Sequence, residues 1–275
     1  MKKLRLILGD QLNSQHSWFR ETDSNVIYCI FEMRQETDYV THHIQKVTGF
    51  FAAMRNFAKE LKIANHAVIY FNINDKKNTQ SLVENLTILI KENNIEKFEY
   101  LSPDEYRLDQ QIKSFCKNLP IDSRVFSSEH FYTEREDLET FFKGKKQFLM
   151  ENFYRNMRKK HQILMIDKQP EGGKWTYDTE NRKKYPAKKI PPHIQFPDAD
   201  ANFKEAAGYV QKNFSNHLGE LTDYSLYPTN HLSTDNWLNQ FFEHRFMEFG
   251  PYEDAILEEN SLLHHSVLTP MLNVG

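Results

Sequence analysis

The sequence predicts an α/β fold: a Rossmann-like parallel-sheet domain, followed by a linker and the start of an all-helical domain. Over the first 130 residues, short apolar runs of strand length alternate with longer stretches whose apolar residues recur at spacings of three and four, the pattern of βαβ units. Beyond Asp198 only the helical spacing persists. These two observations place the α/β domain at 1–133, a basic helix and linker at 134–200, and the helical part at 201–275.

In chain order, Leu4–Leu8, Val26–Phe31, Ala67–Phe71, Phe98–Leu101 and Arg124–Phe126 read as strands. Helices are expected at Val40–Lys62, Ser81–Asn93 and Glu105–Cys116, the first carrying Val47, Phe50, Phe51, Met54, Phe57 and Leu61 on one face. A further helix is expected from Glu136 to about His161, with Arg155, Arg158, Lys159 and Lys160 making a basic side. The stretch from Gln169 to Pro197 contains Pro170, Pro186, Pro191, Pro192 and Pro197, whose locked dihedrals and missing amide hydrogens oppose regular structure. Helical spacing resumes at Ala206–Phe214, Thr234–Phe249 and Tyr252–Leu257.

Composition narrows the class. Hydrophobic residues at 39% and charged residues at 27%, with only 9 glycines, exclude a disordered or fibrous chain. No apolar run reaches membrane-spanning length, and the five strand-like residues after the initial Met-Lys-Lys are too few for a signal-peptide core, so a cytoplasmic monomer is expected. Cys29 and Cys116 stand far apart, which suits buried hydrophobes better than a disulfide or a zinc knuckle. Net charge is only −3, yet between Lys143 and Lys189 there are 14 basic residues against 5 acidic ones. That segment could face phosphates.

In doubly wound sheets, ligands gather beyond the carboxyl ends of the strands. Here those ends carry Gly9-Asp10-Gln11 and the stretch from Glu32 to Glu36. Asp10 could accept hydrogen bonds from a polar heterocycle or a sugar hydroxyl, or it could cap a turn. Glu32 and Glu36 could complete an acidic pocket rim or remain solvated loop acids. No Gly-x-Gly-x-x-Gly fingerprint is present, which argues against a dinucleotide at this site. The adjacent pairs His42-His43 and His264-His265 have the wrong spacing for shared metal ligation on a helix, so capping or hydrogen bonding to loop carbonyls is expected and no metal site is read.

Phe153, Tyr154 and Met157 among the cations, continued by Lys174, Trp175, Tyr177, Asn181 and Arg182, fit either a nucleic-acid surface or a solvated helix face. Near the end, Ser266 and Thr269 flank a helix start, where hydroxyls and amides can bind an anionic phosphate or simply cap the helix.

An ordered series of segments resembles the deoxyribodipyrimidine photolyase-related proteins, the bacterial iron-sulfur cryptochromes and (6-4) photolyases. The segments run Leu6–Leu12, Tyr39–His43, Ala53–Ala58, Met150–Arg158, Pro170–Trp175, Asp178–Arg182 and Phe249–Ala255. The resemblance implies a DNA-photorepair flavoprotein: an α/β antenna domain holding 6,7-dimethyl-8-ribityllumazine, joined by a long linker to a helical domain holding FAD and a [4Fe-4S] cluster. It places Gly9, Asp10, Phe31, Glu32, Glu36 and Val47 at the lumazine pocket, and Ser266, Leu268 and Thr269 in the flavin-phosphate loop. Phe31 departs from a smaller residue in some relatives. The resemblance also implies UV-damaged DNA as partner, approached by Arg155, Arg158, Lys159, Lys160, Lys174 and Arg182.

A cluster needs four thiolates, and this chain has two cysteines. By resemblance, the cluster cysteines, the flavin-cradling helices and the active-site histidine pair fall beyond Gly275, so the chain corresponds to the front half of a photolyase lyase. Its expected role is antenna binding and DNA approach; a non-catalytic blue-light sensor or lumazine or flavin carrier is the alternative.

Overall fold

The computed structural model describes residues 1–275. Five parallel strands build the main sheet. The chain runs through β1 (Lys3–Leu6), β2 (Val26–Phe31), α1 (Arg34–Thr37), α2 (Ile44–Ile63), β3 (Ala67–Phe71), α3 (Leu82–Glu92), β4 (Lys97–Leu101), α4 (Tyr106–Lys117) and β5 (Asp122–Phe126). The strand order is β3-β2-β1-β4-β5. The chain therefore winds outward from β1 on one side, then returns to build the other, and the reversal falls between β1 and β4. That reversal is where an open parallel sheet leaves a crevice at its carboxyl edge.

Alternation along the strands divides the core. Leu4, Leu6, Cys29 and Phe31 join Leu82, Leu86, Phe98 and Ile112 on the face covered by α3 and α4. Ile7, Tyr28 and Ile30 turn the other way, onto Ala53, Met54, Phe57 and Leu61 of α2. The continuous apolar run of β2 follows from burial on both faces.

Further helices and a hairpin follow: α5 (Arg135–Phe142), α6 (Met150–His161), the antiparallel strands β6 (Met165–Ile166) and β7 (Gln169–Pro170), α7 (Ala201–Asn213), α8 (His231–His244), α9 (Phe246–Phe249) and α10 (Thr269–Leu272). The single helix expected over 136–161 is two, because Lys143 leaves helical geometry and Gly144 takes a positive φ of 75°. Arg245, with φ −128°, likewise separates α8 from α9 where one helix was expected. Of the helix expected at Tyr252–Leu257, only a short turn at Gly250–Tyr252 forms.

Two compact units result. One comprises Met1–His130, Gln195–Asn239 and Val267–Gly275; the other comprises Phe131–Ile194 and Gln240–Ser266. Within the first unit, α7 packs on α2 through Phe203, Ala206, Val210 and Phe214 against Val47, Phe51 and Ala52. The helix predicted to open a separate domain is thus part of the sheet-bearing unit, capped by Asp200, whose carboxylate accepts from the Phe203 amide at 2.7 Å. No helix is long and apolar enough to cross a membrane.

Candidate functional site

At the carboxyl end of β1 the chain turns through Gly9, Asp10 and Gln11. Gln11 is buried, and its amide accepts from the Leu8 amide at 3.1 Å while donating to the carbonyls of Leu101 and Ser102 at 3.4 and 3.3 Å. One side chain thereby ties the exit of β1 to that of β4 across the reversal point. Gly9 lies so close to α2 that an added Cβ would sit 3.0 Å from the Met54 sulfur and 3.3 Å from the Phe50 ring.

Asp10 is the electrostatic centre of this edge. Burial pushes its carboxyl up to about 6, with the charges of Asp104 and Glu36 acting in the same direction and its own backbone amide and His130 opposing. The acids come from the ends of β1, β2 and β4, and His130 from the segment after β5. His130 contacts the Leu272 carbonyl at 2.6 Å through Nε2, and its Nδ1 lies 3.9 Å from Asp104 Oδ2. A buried carboxyl with a pKa of about 6 at the carboxyl edge of a parallel sheet is the kind of group that exchanges hydrogen bonds with a polar heterocycle.

Glu36 faces Arg107, the second residue of α4, which donates Nη1 to Oε1 at 3.2 Å and Nη2 to Oε2 at 2.6 Å. The Arg107 guanidinium also lies 4.5 Å from the centre of the Tyr39 ring. Hydrogen bonding to Glu36 raises the Arg107 pKa, against the burial that lowers it. Glu36 is therefore a rim acid held by the Arg107 guanidinium.

The other candidate positions divide differently. Glu32 is only 1% exposed and fully engaged: Arg55 donates to both of its oxygens at 2.6 and 2.9 Å, Tyr70 donates at 2.5 Å and the Ile73 amide at 2.9 Å. Phe31 packs on Phe71 with ring centres 5.3 Å apart, and Val47 sits in the α2–α7 core. Leu268 accepts from the Met271 and Leu272 amides at 3.0 Å, closing the first turn of α10 on itself. Thr269 lines a cavity, and Ser266 is the last residue of the second unit.

That cavity, of about 450 Å³, lies within the first unit between α2, the loop over 221–229 and α10. Lys46, Phe50 and Ala53 form its α2 wall, with Tyr224, Tyr227 and Asn273 opposite. Its size is that of small-molecule sites. Phe50 is shared between this cavity and the close approach to Gly9, so the two features adjoin. The loop leading to it is held at Gly219, whose φ is +90° and whose Cβ would fall 1.9 Å from His43 Nε2. His43 caps α2 by accepting from the Gln45 amide at 3.2 Å.

In the second unit the basic residues are not equivalent. Arg158 is buried and donates to the carbonyls of Ile163 and Leu164, holding the turn after α6. Arg155, Lys159, Lys160, Lys174 and Arg182 lie at the surface or near it, four of them with acidic partners: Glu151, Asp137, Glu180 and Asp254 for Arg155, Lys160, Lys174 and Arg182. The cations of Arg155, Arg158 and Lys159 stand 5.6, 5.3 and 5.1 Å from the centre of the Trp175 ring.

Residues 5–226 match the family model of the deoxyribodipyrimidine photo-lyase-related proteins. The chain belongs to that family. Over 278 aligned residues it is 30% identical to a (6-4) photolyase of Agrobacterium fabrum, with all of this chain covered and 54% of the relative. It thus spans about half the length of that photolyase. A protein of Acanthamoeba polyphaga mimivirus, described only as uncharacterized, is 27% identical over 196 residues, covering 68% of this chain and 97% of its own length.

For a photolyase-related chain, the donor sets can be compared with the groups implied by the family. A protonatable carboxyl such as that of Asp10 has the chemistry to hydrogen-bond a polar heterocycle. An iron-sulfur cluster does not fit residues 1–275: Cys29 is buried in the sheet, where burial pushes its thiol well up, and Cys116 is the only other cysteine.

Sequence reading missed Asp104, Arg107 and His130. Asp104 follows β4 just as Asp10 follows β1, so the same strand-end rule would have found it. Arg107 and His130 carry no comparable local signal.

Proposed function

We propose that residues 1–275 are the antenna-binding and DNA-approach part of a photolyase-like protein. In this reading the first unit holds 6,7-dimethyl-8-ribityllumazine beside Asp10, and the second presents cations to UV-damaged DNA. The observation that carries it is the raised carboxyl of Asp10 at the reversal point of the sheet, next to Gly9, whose neighbour Phe50 also lines a cavity of about 450 Å³.

When bound, the lumazine would absorb blue or near-UV light and pass the excitation on. The chain's own contribution is placement. Asp10 meets the heterocycle with a carboxyl that can donate or accept, and Gly9 lets the β1 turn pack closely on Met54 and Phe50 of α2. Arg107 holds Glu36 in one rotamer at the rim, with Tyr39 as an aromatic shelf. Phe50 walls the cavity from α2, and Asn273 offers polar atoms to a ribityl chain. Glu32 supports the site through Arg55 and makes no ligand contact.

For DNA, the pairs of Arg155, Lys160, Lys174 and Arg182 lie at the surface, where solvent and salt screen them, so phosphates can replace their acidic partners. FAD and the [4Fe-4S] cluster belong in this reading to a full-length form, with Ser266, Leu268 and Thr269 supplying part of the flavin contact. Its place of action is the cytoplasm.

Mixing the purified protein with the lumazine tests the reading. Saturable quenching of ligand fluorescence with a shifted absorption band supports it, and unchanged spectra at saturating protein would sink it.

A further inference from the structure

His231, the first residue of α8, follows the loop over 221–229 that walls the cavity. Its Nδ1 lies 2.8 Å from Glu60 Oε2 near the end of α2, and its ring centre is 6.1 Å from that of Phe57. The ring also forms a hydrogen bond with the backbone of Leu12, which follows Asp10 and Gln11 in the β1 turn. One side chain thus meets α2, the start of α8 and the β1 turn. One helical turn before Glu60, Asn56 donates to the Thr229 carbonyl at 2.9 Å and to Asp200 Oδ2 at 2.8 Å, which holds the end of the cavity loop independently.

Both partners of the imidazole are acceptors. Glu60 offers a carboxylate, and Leu12 offers its carbonyl, because its amide already donates to the Val274 carbonyl at 2.7 Å. With Nδ1 directed at Glu60, Nε2 is the nitrogen left for Leu12. Only the imidazolium carries a proton on both nitrogens; the neutral ring has one and must give up a partner. The charges around the ring act accordingly. The Glu60 hydrogen bond raises the His231 pKa above its ordinary 6.5, burial opposes, and the Glu60 charge, the Leu12 backbone and Asp235 on the next turn of α8 raise it further. The bridge is therefore complete below 6.5 and is lost as pH rises through the raised value. Both side chains are partly open to solvent, so protons can come and go.

We propose that His231 is a proton-dependent clasp that, as an imidazolium, fastens the β1 turn to α2 and α8 and, as a neutral ring, releases it. The released partner is Leu12, since the carboxylate is the stronger acceptor for the remaining N–H. Asp10 and Gln11 lie in the same turn, so the edge assigned to the ligand is held more firmly in acid than in alkali. That consequence rests on the antenna reading; the clasp itself does not.

Nitrogen-15 spectra of the histidine rings in the full chain, with backbone hydrogen exchange followed over the same pH range, test the clasp. In wild type His231 should titrate above 6.5, and Glu60→Gln should bring it back toward 6.5. Exchange is followed in Asp10→Asn, so that the carboxyl of that residue does not titrate in the same range. After correction for intrinsic rates, the Gln11 and Leu12 amides should exchange roughly tenfold faster once His231 is neutral, the low end for a hydrogen bond to a charged group. His231→Lys, which keeps a cation, should stay protected throughout, and His231→Gln should exchange fast throughout. A wild-type His231 titrating at or below 6.5, or protection at Gln11 and Leu12 that does not follow its titration, would overturn the proposal. No ligand enters either measurement, so the clasp is judged apart from the antenna reading.

Discussion

Arg55 of α2 donates Nε and Nη2 to the two oxygens of Glu32 at 2.6 and 2.9 Å, joining the end of β2 to the helix that crosses over it. Both side chains are buried, and Glu205 of α7 adds a carboxylate 3.6 Å from Arg55 Nη1. Removing one partner leaves a buried charge, so Arg55→Ala and Glu32→Ala should each destabilise the fold by about 3–5 kcal/mol. Chemical denaturation checks this, and the double variant should lose less than the sum of the two.

Asp10 makes stability depend on pH. Its folded pKa of about 6 lies above the ordinary 3.8, so the native state binds the extra proton between these values. Its contribution is fully present below 3.8 and is lost as pH rises through 6. Asp10→Asn should remove that loss. The stability difference between variant and wild type should therefore grow by on the order of 2–3 kcal/mol across the window and then level off. Denaturation midpoints measured at several pH values give the curve.

Gly219 holds the loop beside the cavity with a positive φ and no room for a side chain against His43. Gly219→Ala strains the backbone and displaces the His43 cap. A destabilisation of about 2 kcal/mol is expected from the two costs together, with faster hydrogen exchange at the start of α2.

On the basic unit, Lys159→Ala with Lys160→Ala should weaken binding to duplex DNA and lower the slope of log affinity against log salt by about 0.9 for each phosphate no longer neutralised. Trp175→Ala should instead reduce binding to single-stranded or flipped bases, leaving the salt slope nearly unchanged. Titrations at several salt concentrations separate the two.

Much of the fold was legible because a buried parallel sheet writes apolar runs such as Val26–Phe31, while Ser81 and Glu105 cap helices at their starts; the Asp200 cap, which starts α7 at Ala201 and not at the expected Ala206, was missed. The break at Lys143–Gly144 was not, since the helical spacing continues past it. The roles of Glu32 and Arg158 were hidden for a tertiary reason: a strand-end acid and a basic helix residue look the same whether they face a ligand or a buried partner. One clue did exist. Arg55 stands among the apolar positions of α2, beside Met54 and one turn before Ala58, where a buried cation requires a buried acid. The rim formed by Asp104, Arg107 and His130 depends on strand order, which local pattern does not encode.

The most direct measurement is a fluorescence titration of 6,7-dimethyl-8-ribityllumazine with wild type, Asp10→Asn and Arg107→Ala, each first checked for folding by circular dichroism. Saturable binding by wild type, weakened about tenfold or more in each variant, is the expected result, a tenfold weakening being about 1.4 kcal/mol. Equal affinity in all three folded proteins, or none in wild type, would contradict an antenna site at Asp10.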